Sequence, residues 1–232
     1  LLRTTDTNFR PMALEFGPDG ALYVLDFYSP ISSSPDGQPA KFSAQDPRRD
    51  RRHGRIWRIA KKDSVVSPAI NYSQMSVDEL FTYLLSPSPT RRALARRQLQ
   101  QREASEVLGQ LQRWITKNTS QQAQLEALWV ANGQSILNDG LLNSLLNSKD
   151  VNVRAAAARL LRLRLRDVSE PFLKLHTLVD DEHPRVRLEG VLAAAHLPSS
   201  DAAGLALLSA NKKSNLGMGF ALDRTLKALA PY

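Results

Sequence analysis

The chain has no cysteine among its 232 residues. Disulfides, thiol nucleophiles and cysteine-ligated zinc are therefore excluded within it. Aromatic residues make up only 6%. That scarcity, beside abundant Leu, Ala and Arg, favours helix-on-helix packing over a sheet-rich core. No apolar run approaches the roughly 18 residues that span a bilayer, and no signal peptide opens the chain. Four histidines are present. His176, His183 and His196 lie 7 and 13 residues apart, which does not form a metal-binding helix face of the HExxH kind. Walker, GxGxxG and GxSxG motifs are absent.

What is present is ordinary for a folded protein: 42% hydrophobic and 23% charged residues. The net charge is +8 and the pI about 10. Such a balance suits nucleic acid, an anionic surface or an acidic partner. The arginines, however, fall at helical spacing, as on solvated helix faces.

Two regions differ in pattern. Up to Ala60 the chain is strand and turn. Ala13–Phe16 is a short β run, Gly17-Pro18-Asp19-Gly20 a turn, and Ala21–Phe27 a second β run, together a hairpin. A long loop with four prolines runs from Tyr28 to His53. Loops of that length tend to be functional. Gly54–Ile59 is a third, half-buried strand. Three strands bury too little apolar area to stand alone, so they lean on the helices or on further strands.

From Tyr72 the period becomes helical and the chain repeats. Superposing Arg92, Arg154 and Arg187 aligns Pro89, Val151 and Pro184 at the first helical position, where proline is favoured. Ser88 and Asp150 then fall at N-caps. Gln124–Leu128 is a degenerate copy and Phe220–Arg224 a weaker one. The reference positions 92, 124, 154, 187 and about 219 differ by 32, 30, 33 and 32. This is the period of a helical-hairpin solenoid, somewhat shorter than HEAT or armadillo repeats. Ser76-Val77-Asp78-Glu79 opens the first helix as a capping box. Ala93, Ala155 to Ala158, Gly190 and Ala193 to Ala195 supply the small side chains that let helices stack closely. The expected fold is mainly α: a HEAT-like α-solenoid over 76–232, preceded by a small antiparallel β segment over 1–62 and a linker over 63–75.

The β segment resembles one family. Phe9-Arg10-Pro11, then Phe16–Tyr28, then Asp46-Pro47-Arg48-Arg49-Asp50-Arg51-Arg52-His53-Gly54-Arg55-Ile56-Trp57-Arg58-Ile59 are similar to the PVC-type membrane-bound dehydrogenases. Ala221–Leu229 also looks like that family's helical array. These are large secreted bacterial proteins with a propeller related to quinoprotein sugar dehydrogenases, then a HEAT-like array, often followed by a c-type haem domain. The resemblance implies that this chain is the last propeller blade and the array of a longer, extracytoplasmic (periplasmic or membrane-associated) oxidoreductase. It implies a quinone of the PQQ kind, calcium and haem in the parent, and none of them in this chain, which has no Cys-x-x-Cys-His. The family continues after its Asp-(Trp/Phe)-Tyr with Asn-Pro and a Gly-His; here Tyr28 is followed by Ser29-Pro30 and no histidine.

The candidate site is the stretch Asp46–Arg58, with six arginines, two aspartates and His53. Asp46, Arg48, Arg49, Asp50, His53 and Arg55 carry two readings. On the first they face a propeller channel and hold an anionic cofactor or substrate. On the second they pair among themselves and pin the propeller to the first helices. Asp26, at a strand end without an acidic neighbour, suits a loop anchor better than an acid catalyst. No catalytic residue and no metal ligand is assigned. The expected partners are the missing propeller blades and another domain or protein docked on the array. Two alternatives stand beside this: a nucleic-acid-binding HEAT protein, for which the Arg159–Arg166 helix is the candidate stripe, and an oxidoreductase site at the β/α junction.

Overall fold

The computed structural model describes residues 3–30, 50, 52–63, 68, 70–212 and 217–232. The chain is mainly α, with a small antiparallel sheet before the helices. It divides into two compact units. One comprises Leu1–Tyr72 with Pro87–Arg92; the other comprises Ser73–Ser86 with Ala93–Tyr232.

In the first unit, β1 (Pro11–Phe16), β2 (Leu22–Asp26) and β3 (Arg55–Ile59) pair antiparallel in the order β1-β2-β3. The β1–β2 turn closes as Gly17 N–H donates to Ala21 O, 2.9 Å, and Gly20 N–H to Gly17 O, 3.0 Å. Gly20 takes φ +82°, a region that favours a residue without Cβ. Opposed residues share a face. One face therefore carries Leu14, Val24 and Trp57, then Phe16, Leu22 and Ile59. The other carries Ala13, Leu25 and Ile56, then Glu15, Tyr23 and Arg58. The register shifts between Pro11 and Ala13, leaving Met12 as a bulge. The alternation of β3 leads one to expect a half-buried strand, yet Ile56 is 71% exposed. Leu25, on the same face, is 45% exposed. The remaining piece of this unit, Pro87–Arg92, meets the hairpin through Thr90 Oγ1, which donates to Phe16 O at 2.7 Å. The Arg91 guanidinium reaches Pro18 O at 3.3 Å.

The second unit is a two-layered stack. Its helices are α1 (Val77–Tyr83), the body of α2 (Pro89–Gln100), α3 (Ala104–Lys117), α4 (Gln121–Gly133), α5 (Asp139–Leu146), α6 (Val151–Leu163), α7 (Pro171–Val179), α8 (Pro184–Ala194), α9 (Ser200–Leu208) and α10 (Met218–Leu229). Successive helices pair, as α5 with α6, α7 with α8 and α9 with α10. From α4 onward each even helix also packs on the next but one, α4 on α6, α6 on α8 and α8 on α10, while α7 packs on α9. Neighbour-only contact of this kind defines a solenoid. Leu128, Leu142, Leu145, Leu160, Leu161, Leu175 and Leu178 fill its core.

The repeat phase follows the sequence. Arg92, Gln124, Arg154 and Arg187 are each the fourth residue of α2, α4, α6 and α8. The three arginines do the same work. Arg92 donates to Pro87 O at 3.2 Å, Arg154 to Ser148 O at 2.8 Å, and Arg187 to Asp181 O and Glu182 O at 2.8 Å. Each ties its own helix to the turn that precedes it. Polar links between neighbouring repeats join residues one period apart. Arg96 pairs with Glu126 and Arg159 with Glu189, both 30 residues on. Arg154 is bidentate on Asp181, 2.8 and 3.0 Å. Ser76 and Glu79 form the expected capping box, and Asp150 caps α6 through Asn152 N–H.

One expectation needs correcting. The basic helix does not run to Arg166; α6 stops at Leu163. Arg164 N–H closes the helix end on Leu160 O and Leu161 O, and its side chain is held by Ser135 O and Asp167. Leu165 and Val168 then turn into the core, so continued helix would carry them out of it.

Candidate functional site

Strand pairing places Asp26 opposite Arg55. Around that pair the sheet builds its densest polar cluster. Asp26 Oδ1 accepts from the backbone N–H of Arg10, 2.8 Å, and of Tyr28, 3.0 Å. Its Oδ2 accepts from Arg55 Nε, 2.8 Å, and from the Trp57 indole N–H, 3.1 Å. The Asp26 side chain has no solvent exposure. Burial alone would raise its pKa. The Arg10 N–H, the indole, the Tyr28 N–H and the guanidinium outweigh it and lower the pKa to about 2. Asp26 is therefore a permanent carboxylate with its lone pairs occupied. It has no proton to give at neutral pH and no free oxygen for a substrate or cation.

Arg55 is equally committed. Burial works against its charge, but Asp6 and then Asp26 raise its pKa above the ordinary arginine value. Nη1 donates to Asp6 Oδ2 at 2.7 Å, and Nη2 lies 2.7 Å from Asp26 Oδ2. The guanidinium stacks over the Tyr28 ring at 4.0 Å and lies 5.0 Å from the Trp57 ring. Phe9 meets Trp57 edge-on at 6.4 Å. Tyr28 reaches Arg55 from a left-handed backbone, φ 49°, which a bulky residue adopts only under constraint.

Asp50 and His53 form a separate corner. Asp50 Oδ1 accepts from the N–H of Arg52, 2.9 Å, and of His53, 3.1 Å. Its Oδ2 lies 2.7 Å from His53 Nδ1. The Arg52 N–H, then the imidazole, lower the Asp50 pKa. The His53 side chain is mostly exposed. Asp46, Arg48 and Arg49 lie outside the described residues. On the hairpin, Asp19 takes Arg58 at 2.8–2.9 Å and the Tyr23 hydroxyl at 3.1 Å.

Of the sequence candidates, the structure thus joins Asp50 to His53 and sends Arg55 elsewhere, to Asp26 and Asp6. Asp6, Arg10 and Trp57 belong to the cluster without having been singled out. Arg10 and Trp57 stand in the segments that carry the family resemblance, and the strand register sets Asp26 against Arg55 once β2 and β3 are paired. Among the described residues no three His, Cys, Asp or Glu side chains converge as a metal site. No described helix is long and apolar enough to cross a membrane.

A family described as a domain of unknown function (DUF7133) matches residues 1–63. No curated protein and no solved structure matches the chain.

Proposed function

We propose that this chain is a structural and docking piece of a larger extracytoplasmic, propeller-type dehydrogenase-like protein: its sheet completes a β-propeller, and its helical array is a scaffold for another domain or protein. The observation that carries this reading is the sheet's uncovered apolar surface. Leu14 and Phe16 on one face are 64% and 60% exposed, and Ile56 on the other 71%. A sheet that keeps apolar residues uncovered on both faces suits one flanked by further sheets, as blades are. The polar cluster supports the same reading, because it consumes Asp26 and Arg55 in holding the strands rather than presenting them. A quinone and calcium would then be held by the parent's other blades; the described residues here offer no cradle for either.

Two measurements test this. The chain alone should show no sugar or alcohol oxidation with an artificial electron acceptor, with or without added quinone and calcium. Saturable turnover lost in His53→Ala would make it an enzyme instead. Leu14→Lys and Ile56→Lys should leave the isolated chain's stability within about 0.5 kcal/mol, as exposed positions do. In the full-length protein they should destabilise the propeller. A large loss in the isolated chain would mean that these residues are already core.

A further inference from the structure

The array shows what a structural arginine looks like. Arg92, Arg154 and Arg187 hold turn carbonyls, Arg96 and Arg159 hold buried glutamates, and Arg164 holds Ser135 O and Asp167. Arg162 and Arg166 fit none of these patterns. Among the described residues neither makes a hydrogen bond or an ion pair, and the Arg162 Nε is buried without a partner. Both line a cleft of about 430 Å³ where the C-terminal ends of α6, α8 and α10 meet. His196 shares the cleft. The acidic side chain there, Asp167, is already bound to Arg164.

Cations at helix C-termini commonly serve the helix-end carbonyls. Here backbone groups take that role: Arg164 N–H caps Leu160 and Leu161, His196 N–H caps Ala193, and Leu197 N–H caps Ala194. Arg162 and Arg166 are left over. The rest of the rim is apolar: Leu163, 59% exposed, with Ala195, Pro198, Ala228 and the ring of Tyr232.

We propose that this cleft binds an acidic segment of a partner protein, taking glutamate or aspartate carboxylates on Arg162 and Arg166 and an adjacent apolar side chain against Leu163 and Tyr232. This deepens the scaffold reading and rests on it. Guanidinium groups with unused donors match carboxylates in a bidentate fashion. A bare inorganic anion would use the cations but not the apolar rim. A nucleic-acid backbone would need a run of free cations, and this cleft offers two such arginines, Arg162 and Arg166.

The test uses the full chain and a short fluorescent peptide of alternating glutamate and leucine, with a glutamine-for-glutamate version as control, read by anisotropy. The acidic peptide should bind and the control should not, and binding should weaken with salt. Arg162→Gln and Arg166→Gln should each weaken it roughly tenfold, the loss of one charge-assisted contact, with unchanged circular dichroism and Tm. Lys149→Gln, at the other end of α6, should bind as wild type. No binding, equal binding of the control peptide, or arginine variants that bind normally would overturn the proposal. So would inorganic phosphate competing as well as the peptide, or an oligonucleotide binding more tightly through the same arginines. Failure here leaves the scaffold reading intact if the array still docks its partner elsewhere; the lysine variants of the sheet report on that reading separately.

Discussion

Asp26 is where single-residue chemistry matters most. Its folded-state pKa of about 2 lies below the ordinary 3.8. A depressed carboxylate pKa contributes stability that is fully present above the unfolded value and lost as pH falls through the folded one. The sheet should therefore hold from neutrality to about pH 4 and weaken progressively toward pH 2. Asp26→Asn should reduce that pH dependence and lower stability at pH 7, because Arg55 is left with Asp6 alone and the N–H donors around residue 26 lose a charged acceptor. Urea titrations at several pH values, followed by Trp57 fluorescence in a Trp114→Phe, Trp129→Phe background, check both. An Asn variant as stable as wild type would show that the cluster is incidental. Composition cannot single out Asp26 as such a hub, since its four donors come from residues 10, 28, 55 and 57.

At the scale of elements, two helical glycines make opposite predictions. A Cβ on Gly190 of α8 would stand 2.8 Å from Leu178 Cβ and 3.0 Å from the α7 backbone. Glycine there lets the two helices approach. Gly109 of α3 meets nothing within 4 Å and is exposed. Ala in place of Gly gains up to about 1 kcal/mol in helix propensity, whereas overpacking a tight contact costs about 1–3 kcal/mol. Gly109→Ala should raise the array's stability by about 0.5–1 kcal/mol, and Gly190→Ala should lower it. Thermal melts by circular dichroism distinguish the two, and shifts of the same sign would refute the packing argument. The small residues at the repeat positions point from sequence to close stacking. That Gly109 lacks such a role depends on which helix lies opposite, and sequence spacing does not contain that.

The second unit as a whole behaves as a chain of neighbours. Stability in such a stack is a sum of repeat and interface terms, so central helices gain from both sides. Amide exchange should be slowest in α6 and α8 and fastest in α1 and α10. Arg154→Ala, which leaves Asp181 with the His183 N–H alone and frees Ser148 O, should speed exchange in α6 and α8 together. An effect confined to α6 would mean that the Arg154–Asp181 bridge does not couple the repeats. The period near 32 residues is visible in sequence because three of the repeats present an arginine at the same helical position, in α2, α6 and α8. The cross-repeat pairs, 27 to 34 residues apart, follow from that period.

The local rules, written in adjacent residues, determined the hairpin at Pro18-Asp19-Gly20, the capping box at Ser76 and the helical phase of Arg92, Arg154 and Arg187. Caps, turns and periodicity act over a few residues, so the sequence carries them whole. Only the tertiary structure decided which arginines are spent. Arg55, a candidate for anion binding, is sandwiched by Tyr28 and bound by Asp6 and Asp26, residues 27 or more positions away. The stripe Arg159–Arg166 is broken at Leu163, so Arg159 pairs with Glu189 while Arg162 and Arg166 are left facing a cleft. A charge's role depends on what lies within a few ångströms of it, and that neighbourhood exists only once distant segments have packed.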